Sequence, residues 1–398
     1  MTRAAEMAAR VSYGRLLAIV VKRSRDITSA EDALADAFTK ALTSWPEKGV
    51  PDNPEAWLLT VARNRLTDRQ RQLTRFPMEN EMPDISDEAI SKPNLSDDRL
   101  ALLMVCSHPA ISRDLHTPLM LQTVLGIDAK TIAHLFMISP TALSKRLVRA
   151  KTKIRDAGIP FEIPEPEDLP QRSTAIFEAI YAVHTHDWLE PSDDLGEEAL
   201  YLANLLTTLL PDQPETFGLA ALIAFGHARR SARIVEGVLV PVEEQDGSKW
   251  DQKLYAYGLR QLERAHSLGH VGRFQIEAAI QSVHLARLET GVTNWSALNK
   301  LYFALLQIAP TSGALVAHAM VTSRLFGYAA GLQALTVAEK QTGPGFQPLW
   351  AARADLLAKE GEQEAALAAY GKAISLTTET PMRRFLEARC LKAGRGTE

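Results

Sequence analysis

The sequence predicts an all-α protein in which two small helical domains precede a larger helical-repeat domain. Nearly every segment repeats its apolar residues at helical spacing, and the alternation typical of strands is weak throughout. The stretch 233–247, "RIVEGVLVPVEEQDG", is the exception, and it fits a short hairpin or an extended loop. Two acidic, proline-containing stretches divide the 398 residues, a length that suits two or three domains.

These two stretches set the predicted domain boundaries. Residues 76–98 are acidic and poor in large apolar side chains, as in a flexible linker. Residues 158–172 contain four prolines, which favour an extended connector over a helix. The predicted domains therefore span 1–75, 99–157 and 173–398.

Composition and charge narrow the class of protein. The longest apolar runs fall short of the ~20 residues of a membrane span, and no signal peptide is expected, so the predicted location is the cytoplasm. Cys106 and Cys390 lie far apart and show no metal-ligand spacing. Residues 1–75 carry 13 Lys or Arg against 9 Asp or Glu, and residues 140–157 carry 6 against 1. Two basic regions predict contacts with a polyanion at two places.

The first domain contains a predicted helix, "TSAEDALADAFTKALTSW", with one acidic side. Thr28 or Ser29 is its expected N-cap, because a hydroxyl can accept a bond from a free amide of the first turn. Apolar residues follow at helical spacing, which leaves Glu31, Asp32 and Asp36 for solvent or a partner.

The next predicted helix, "EAWLLTVARNRLTDRQRQ", combines arginines with residues able to contact a base. Its apolar side includes Trp57, whereas Arg63, Arg65 and Arg69 project elsewhere with Asn64 among them. Arginine pairs with phosphate, and Asn or Trp can bond to or stack on an unpaired base, so the mixture suits melted nucleic acid. A solvated helix face over a buried Trp explains the same residues equally well.

The second domain contains a predicted helix-turn-helix. Asp128 is the expected N-cap of "AKTIAHLF", and Pro140 begins the basic helix "PTALSKRLVRAKTKIR". In this motif the start of the second helix faces base edges, and its later cations hold phosphates. The predicted base-facing residues are Thr141, Ala142, Ser144 and Lys145, and the predicted phosphate-holding residues are Arg146, Arg149, Lys151 and Lys153. The positions expected to pack inward are Ile132, Ala133, Leu135, Phe136, Leu143, Leu147, Val148 and Ile154.

The third domain shows a weak repeat. From Trp350 to Ala373, large and small side chains follow the spacing of a tetratricopeptide unit, with a turn at Gly361 between two helices. Upstream, residues 295–310 fit the second helix of such a unit, and residues 312–335 fit the helix pair that follows. A plain helical bundle would show similar packing of Ala and Leu. A group near the start of the third domain, His184, His186 and Asp187, lacks further ligands. Packing or surface roles are therefore expected for it in place of a metal site.

The order of these features resembles the sigma-70 superfamily, in its extracytoplasmic-function group. "AEDALADAFTKAL" resembles region 2.2, "NPEAWLLTVARNRLTDRQR" resembles regions 2.3 and 2.4, and "KTIAHLFMISPTALSKRLVRAKTKIR" resembles region 4. The long extension after "RDAGIPFEIP" resembles the subgroup that carries a C-terminal tetratricopeptide-like domain. The resemblance covers almost the whole chain.

The resemblance implies a transcription initiation factor, not an enzyme, with core RNA polymerase and promoter DNA as partners and with no cofactor. It also implies a third domain that regulates activity or binds a signalling protein. The implied polymerase-binding residues are Glu31, Asp32, Asp36 and Phe38. The implied contacts with the promoter's −10 element are Trp57, Arg63, Asn64, Arg65 and Arg69, and those with its −35 element are Thr141, Ser144, Lys145, Arg146 and Arg149.

Some residues depart from the family pattern, and other functions stay open. Ala35 and Ala37 stand where many relatives have glutamine and glutamate, and the basic helix begins with Ser139-Pro140-Thr141. A helix-turn-helix regulator that senses through its repeat domain is the alternative, although it leaves the first domain unexplained. A helical scaffold leaves both basic regions unexplained, and an enzyme lacks a nucleophile constellation, a phosphate loop or a metal cluster in the sequence.

Overall fold

The structure, a computed structural model, is built almost entirely from α-helices, which confirms the predicted fold class. The residues that it describes are 2–73, 98–136, 138–165, 167–189 and 193–394. The linker predicted at 76–98 lies outside them apart from Asp98. None of the described helices is both long enough and apolar enough to cross a membrane.

The helices of the first half follow the predicted pattern closely. Their bounds are α1 Thr2–Ser24, α2 Ile27–Lys48, α3 Pro54–Leu73, α4 Asp98–Cys106, α5 Arg113–Thr123, α6 Ala129–Leu135, α7 Pro140–Asp156, α8 Leu169–Leu189 and α9 Asp193–Leu209. Helix α8 begins inside the stretch predicted to be a connector, because Pro170 is tolerated in the first turn of a helix.

The second half contains shorter helices and one small hairpin. The helix bounds are α10 Pro214–Ala228, α11 Arg230–Arg233, α12 Gln252–Ser267, α13 Arg273–Leu285, α14 Arg287–Thr290, α15 Trp295–Ile308, α16 Ser312–Phe326, α17 Tyr328–Thr342, α18 Gln347–Glu360, α19 Gln363–Ser375 and α20 Thr380–Gly394. Between α11 and α12, strands β1 (Ile234–Val235) and β2 (Val238–Leu239) pair in antiparallel fashion. Of the two alternatives left open for this stretch, a short hairpin or an extended loop, the structure has the hairpin.

The chain divides into two compact units. The first comprises residues 1–183 and 193–198, and the second comprises residues 184–192 and 199–398. Both basic segments of the sequence lie in the first unit.

Helices α1, α2 and α3 pack together through their apolar sides. The buried residues of this core include Leu16, Leu17, Leu34, Ala37, Trp45, Leu58 and Ala62. The predicted N-cap of α2 was wrong, since Asp26 takes that position and not Thr28 or Ser29. Its carboxylate accepts bonds from the Thr28 amide at 3.1 Å and the Ser29 hydroxyl at 2.7 Å, so one side chain satisfies both donors.

Helices α4 to α7 build the other core of the first unit. Asp128 caps α6 as predicted, accepting from the amides of Lys130 and Thr131 at 2.9 and 3.0 Å, and Pro140 begins α7 as predicted. The buried residues include Leu102, Leu119, Ile132, Ala133, Leu143, Leu147 and Ile154.

Two of the residues predicted to pack inward are exposed instead. Val148 is 57% exposed, because it follows the buried Leu147 by one residue and so points about 100° away around α7. Phe136 follows the last residue of α6 as its C-cap, where the helical face no longer directs it into the core.

The second unit stacks its later helices in pairs. Helix α13 packs on α15, α16 on α17, and α18 on α19, while α20 packs on α19. Tyr370 and Leu386 share a cluster with Ala354, which joins α18, α19 and α20. The turn predicted at Gly361 is confirmed, with φ of 88° in the left-handed region that favours glycine.

Candidate nucleic-acid interface

Trp57 anchors helix α3 at the border between core and surface. Its ring packs edge-on against the buried ring of Trp45 on α2, with centroids 5.5 Å apart and planes at 63°. Trp57 itself is only half-buried, so part of its ring stays at the surface. An aromatic ring in this position can still contact a base.

The polar residues predicted to contact the −10 element lie on the outward side of α3. Asn64, Arg65 and Arg69 are exposed, and Arg63 is half-buried. Asn64 stands between two arginines in sequence, which places an amide among cations able to hold a backbone. The sequence therefore predicted the exposure of this side correctly.

The arginines of α3 pair with the acids of α2. Arg65 contacts Asp36 at 2.6 Å, and Arg69 contacts Asp32 at 2.9 Å. All four side chains are at least half-exposed, so each ion pair is worth about 0 to 1 kcal/mol and exchanges easily for another partner. The residues predicted to bind polymerase and those predicted to bind DNA thus lie on adjoining faces of one helix pair.

Glu31 lies apart from these exposed acids. Its two carboxylate oxygens accept bonds from the Lys151 ammonium of α7 at 2.6 and 2.7 Å, with only 21% of the Glu31 side chain and 6% of the Lys151 side chain exposed. Burial raises the pKa of Glu31, and the charge of Lys151 offsets part of that rise. Helix α7 therefore covers Glu31, the predicted polymerase-binding acid nearest the start of α2.

Lys151 accordingly departs from its prediction. We expected it to hold a phosphate, yet its ammonium is buried against Glu31. It follows Leu147 by four residues, on the same stripe as Leu143 and Ile154, and this spacing was the signal in the sequence that it faces inward.

The start of α7 presents the residues predicted to read bases. Thr141, Ala142, Ser144 and Lys145 are exposed, while Leu143 between them is buried. The buried leucine fixes the helix in its core, so the exposed side keeps one orientation.

The cations further along α7 have different environments. Arg146 forms an ion pair with Asp114 of α5, and hydrogen bonds from Ser112 and Arg146 lower the pKa of that carboxyl. Lys153 donates to the carbonyl of Ala110 at 2.6 Å. Arg149 is exposed and forms no ion pair with the described residues, so it is the cation most readily offered to a phosphate.

Of the histidine and aspartate group near the start of the second unit, the structure describes the side chain of His184. His184 lies against Gly226, where an added Cβ would come within 2.5 Å of its ring, and burial lowers its pKa to about 3. The side chains of His186 and Asp187 lie outside the described ones. Within the part of the chain that the structure describes, no group of three metal-ligating side chains occurs.

Two family models match parts of the chain. Residues 10–76, which include all of α2 and α3, match Sigma-70 region 2. A relative from Xanthomonas campestris pv. campestris, "Probable RNA polymerase sigma factor RfaY", is 26% identical over 162 residues, which cover 36% of this chain and 40% of that protein. Residues 10–76 therefore form a Sigma-70 region 2 domain, and this match supports the sigma-70 superfamily. Residues 172–266 match a family of unknown function, DUF6596.

The similarity to a second relative extends over both units of the chain. "Uncharacterized protein R00370" of Rhizobium meliloti (strain 1021) is 32% identical over 370 residues, which cover 89% of this chain and 87% of that protein. The two proteins therefore belong to one family. No solved structure matches the chain.

Proposed function

We propose that the chain is an alternative sigma factor of the extracytoplasmic-function group. In the cytoplasm it binds core RNA polymerase, recognises a promoter, melts the DNA and starts transcription, and it has no enzymatic role of its own. The match of residues 10–76 to Sigma-70 region 2 carries this proposal. Its functional parts are residues 1–75, 99–157 and 173–398, joined by a linker at 76–98 and a connector at 158–172.

Helix α2 docks on the polymerase through Asp32, Asp36, Phe38 and Glu31. The first two acids are exposed and exchange their arginine partners at little cost, and Phe38 is half-buried and adds apolar contact. Glu31 becomes available once α7 and its Lys151 move away.

Helix α3 engages the −10 element. Once the acids of α2 turn to the polymerase, Arg65 and Arg69 are released toward DNA phosphates. Asn64 bonds to an unpaired base, and Trp57 stacks at the edge of the melted region while Trp45 supports its ring. One exchange of partners would thus couple polymerase binding to DNA binding.

Helix α7 is the second helix of a helix-turn-helix and reads the −35 element. Thr141, Ser144 and Lys145 face base edges, and Arg149 and Arg146 hold the backbone. Arg146 must leave Asp114 to do so, and the exposure of that ion pair keeps the exchange inexpensive.

The second unit is a tetratricopeptide-like regulatory domain that binds a signalling or regulatory protein. The paired helices support this interpretation, because Ala354, Ala366 and Ala373 are fully buried where the repeat needs small residues. Tyr370 fills the space between its own pair and α20.

The proposal is tested by run-off transcription with core polymerase on a library of promoters. We expect the full-length protein to copurify with core polymerase and to direct initiation from a defined subset of promoters. Failure to associate with core polymerase would refute the sigma-factor role. Tight binding to duplex DNA without polymerase would favour the helix-turn-helix regulator.

A further inference from the structure

Residues 234–250, here called the clasp segment, connect α11 to α12 without forming an α-helix. The segment contains the β1–β2 hairpin and two 3-10 turns, at Val242–Glu244 and Gly247–Lys249. Its sequence between Val238 and Gly247, "VLVPVEEQDG", is an apolar extended stretch followed by two adjacent glutamates. Residues that contact it belong to helices later in the sequence, α14, α16 and α20.

Arg287 on α14 holds the backbone of the clasp segment. Its guanidinium donates to the carbonyls of Val242 at 2.8 Å and Gln245 at 3.3 Å, and also to that of Glu243. Backbone carbonyls carry no sequence information, so this arginine can hold any chain with the same extended and turned path.

Two further arginines hold the adjacent carboxylates. Arg324 of α16 contacts Glu243 at 2.7 Å, and Arg389 of α20 pairs with Glu244. Each guanidinium also lies over an aromatic ring, Arg324 over Trp295 at 5.1 Å and Arg389 over Phe385. Stacking holds Arg324 and Arg389 in place, so these two arginines are positioned for two acidic side chains in succession beside Arg287.

The hairpin of the clasp segment also contacts α20. Strand β2 packs against α20, and Gly237 lies so close to Arg384 that an added Cβ would come within 2.5 Å of its guanidinium. The segment therefore contacts three helices that lie far apart in sequence, α14, α16 and α20.

The carboxylate contacts are weak enough to be exchanged. The Glu243 and Glu244 side chains are 37% and 54% exposed, and such ion pairs are worth about 0 to 1 kcal/mol each. The same arginines can hold the carboxylates of another acidic chain. The internal occupant is favoured by the high local concentration of the tethered segment and by the packing of β2 on α20.

We propose that Arg287, Arg324 and Arg389 form a docking surface for an extended acidic segment of a partner protein, and that the clasp segment is its displaceable internal ligand. The internal ligand defines the chemistry of the partner: an extended apolar stretch followed by two adjacent carboxylates. Binding in trans releases residues 240–246 from the arginine row. This inference does not depend on the first unit being a sigma factor.

The test uses the full-length protein and a fluorescent peptide with the sequence of residues 238–247. Glu243→Gln with Glu244→Gln loosens the clasp segment and keeps the arginines. We expect this variant to bind the peptide about tenfold more tightly than the wild type, because the tethered competitor is weakened. Arg324→Gln with Arg389→Gln in the loosened variant should weaken binding about tenfold, as should a peptide with both glutamates replaced by glutamine.

Glu236→Gln with Glu360→Gln is the matched control, since both residues are exposed and the pair removes the same net charge. Equal affinity of wild type and loosened variant, absence of binding to both, or equal binding of the two peptides would each overturn the proposal. Hydrogen exchange on the wild type gives a second readout that needs no substitution. Excess peptide should raise exchange in 234–250, and unchanged exchange there would also overturn it.

Discussion

His284 and His184 are half-buried residues of the second unit that stay neutral where free histidine takes up a proton. Burial, with a further contribution from Arg229 and Arg287, lowers the pKa of His284 to about 4, and burial lowers that of His184 to about 3. The unfolded chain therefore binds protons below about pH 6.5 that the folded unit does not bind.

Stability of the second unit should fall as the pH decreases from about 6.5 toward 4, by up to about 1.4 kcal/mol per pH unit for each histidine. The measurement is urea unfolding across this pH range. His284→Asn should reduce the slope of the unfolding free energy against pH by the contribution of one histidine. His266→Asn, on the exposed side of α12, should leave this slope unchanged. A pH dependence that is identical in all three proteins would contradict the burial of His284.

Gly331 on α17 marks the closest approach of three helices. A Cβ there would come within 2.5 Å of the Ser323 Cβ of α16 and 2.8 Å of the Leu356 Cδ1 of α18. Gly331→Ala should therefore destabilise the second unit by about 1 to 3 kcal/mol through overpacking. Gly371→Ala is the matched control on α19, where no atom lies within 4 Å, and it should stabilise the helix by about 0.5 to 1 kcal/mol. Similar thermal unfolding shifts for both variants would contradict this packing.

Helices α2 and α7 are joined by the Lys151–Glu31 ion pair. Lys151→Met leaves the Glu31 carboxylate largely buried without its cation, which should cost about 1 to 3 kcal/mol of unfolding free energy. Adding Glu31→Gln should recover most of this loss, because the uncompensated charge is gone. The measurement is a double-mutant cycle in urea, with Lys145→Met as the exposed control on the same helix. A coupling below about 0.5 kcal/mol would show that the pair does not hold α7 on α2.

The helices themselves were predictable because local signals determine them. Asp128, Pro140 and Gly361 act within one turn of their own position, so sequence reasoning placed the corresponding helix ends correctly. The N-cap of α2 was missed because Asp26 competes with two nearby hydroxyls, and only the backbone angles decide among them.

The tertiary partners were not predictable in the same way. Glu31 meets Lys151 across 120 residues, and Glu244 meets Arg389 across 145 residues. Periodicity shows that Lys151 lies on the inward side of its helix, but it does not identify the acidic residue that pairs with it. The exposure of Asn64 and Lys145 was predictable, because it depends only on the helix and on which side of that helix the residue lies.

At the scale of the whole molecule, a factor that contacts its promoter through two helices should bind more weakly when either contact is removed, whether or not the other is intact. Arg63→Gln on α3 and Arg149→Gln on α7 should each weaken promoter binding of the polymerase complex, and each should reduce the salt dependence by about one phosphate contact. Neither arginine forms an ion pair with the described residues, so no partner is left exposed by the change.

The double variant should lose the product of the two single losses, since the two arginines share no partner and are proposed to contact different elements of one promoter. Affinity is measured with saturating polymerase over a range of salt concentrations, and Lys300→Gln, an exposed change on α15, should have no effect. If Arg63→Gln had no effect while Arg149→Gln kept its full effect, α7 alone would contact the promoter. The double result separates a sigma factor from a regulator that uses only its basic helix, because only the former needs α3 on the DNA.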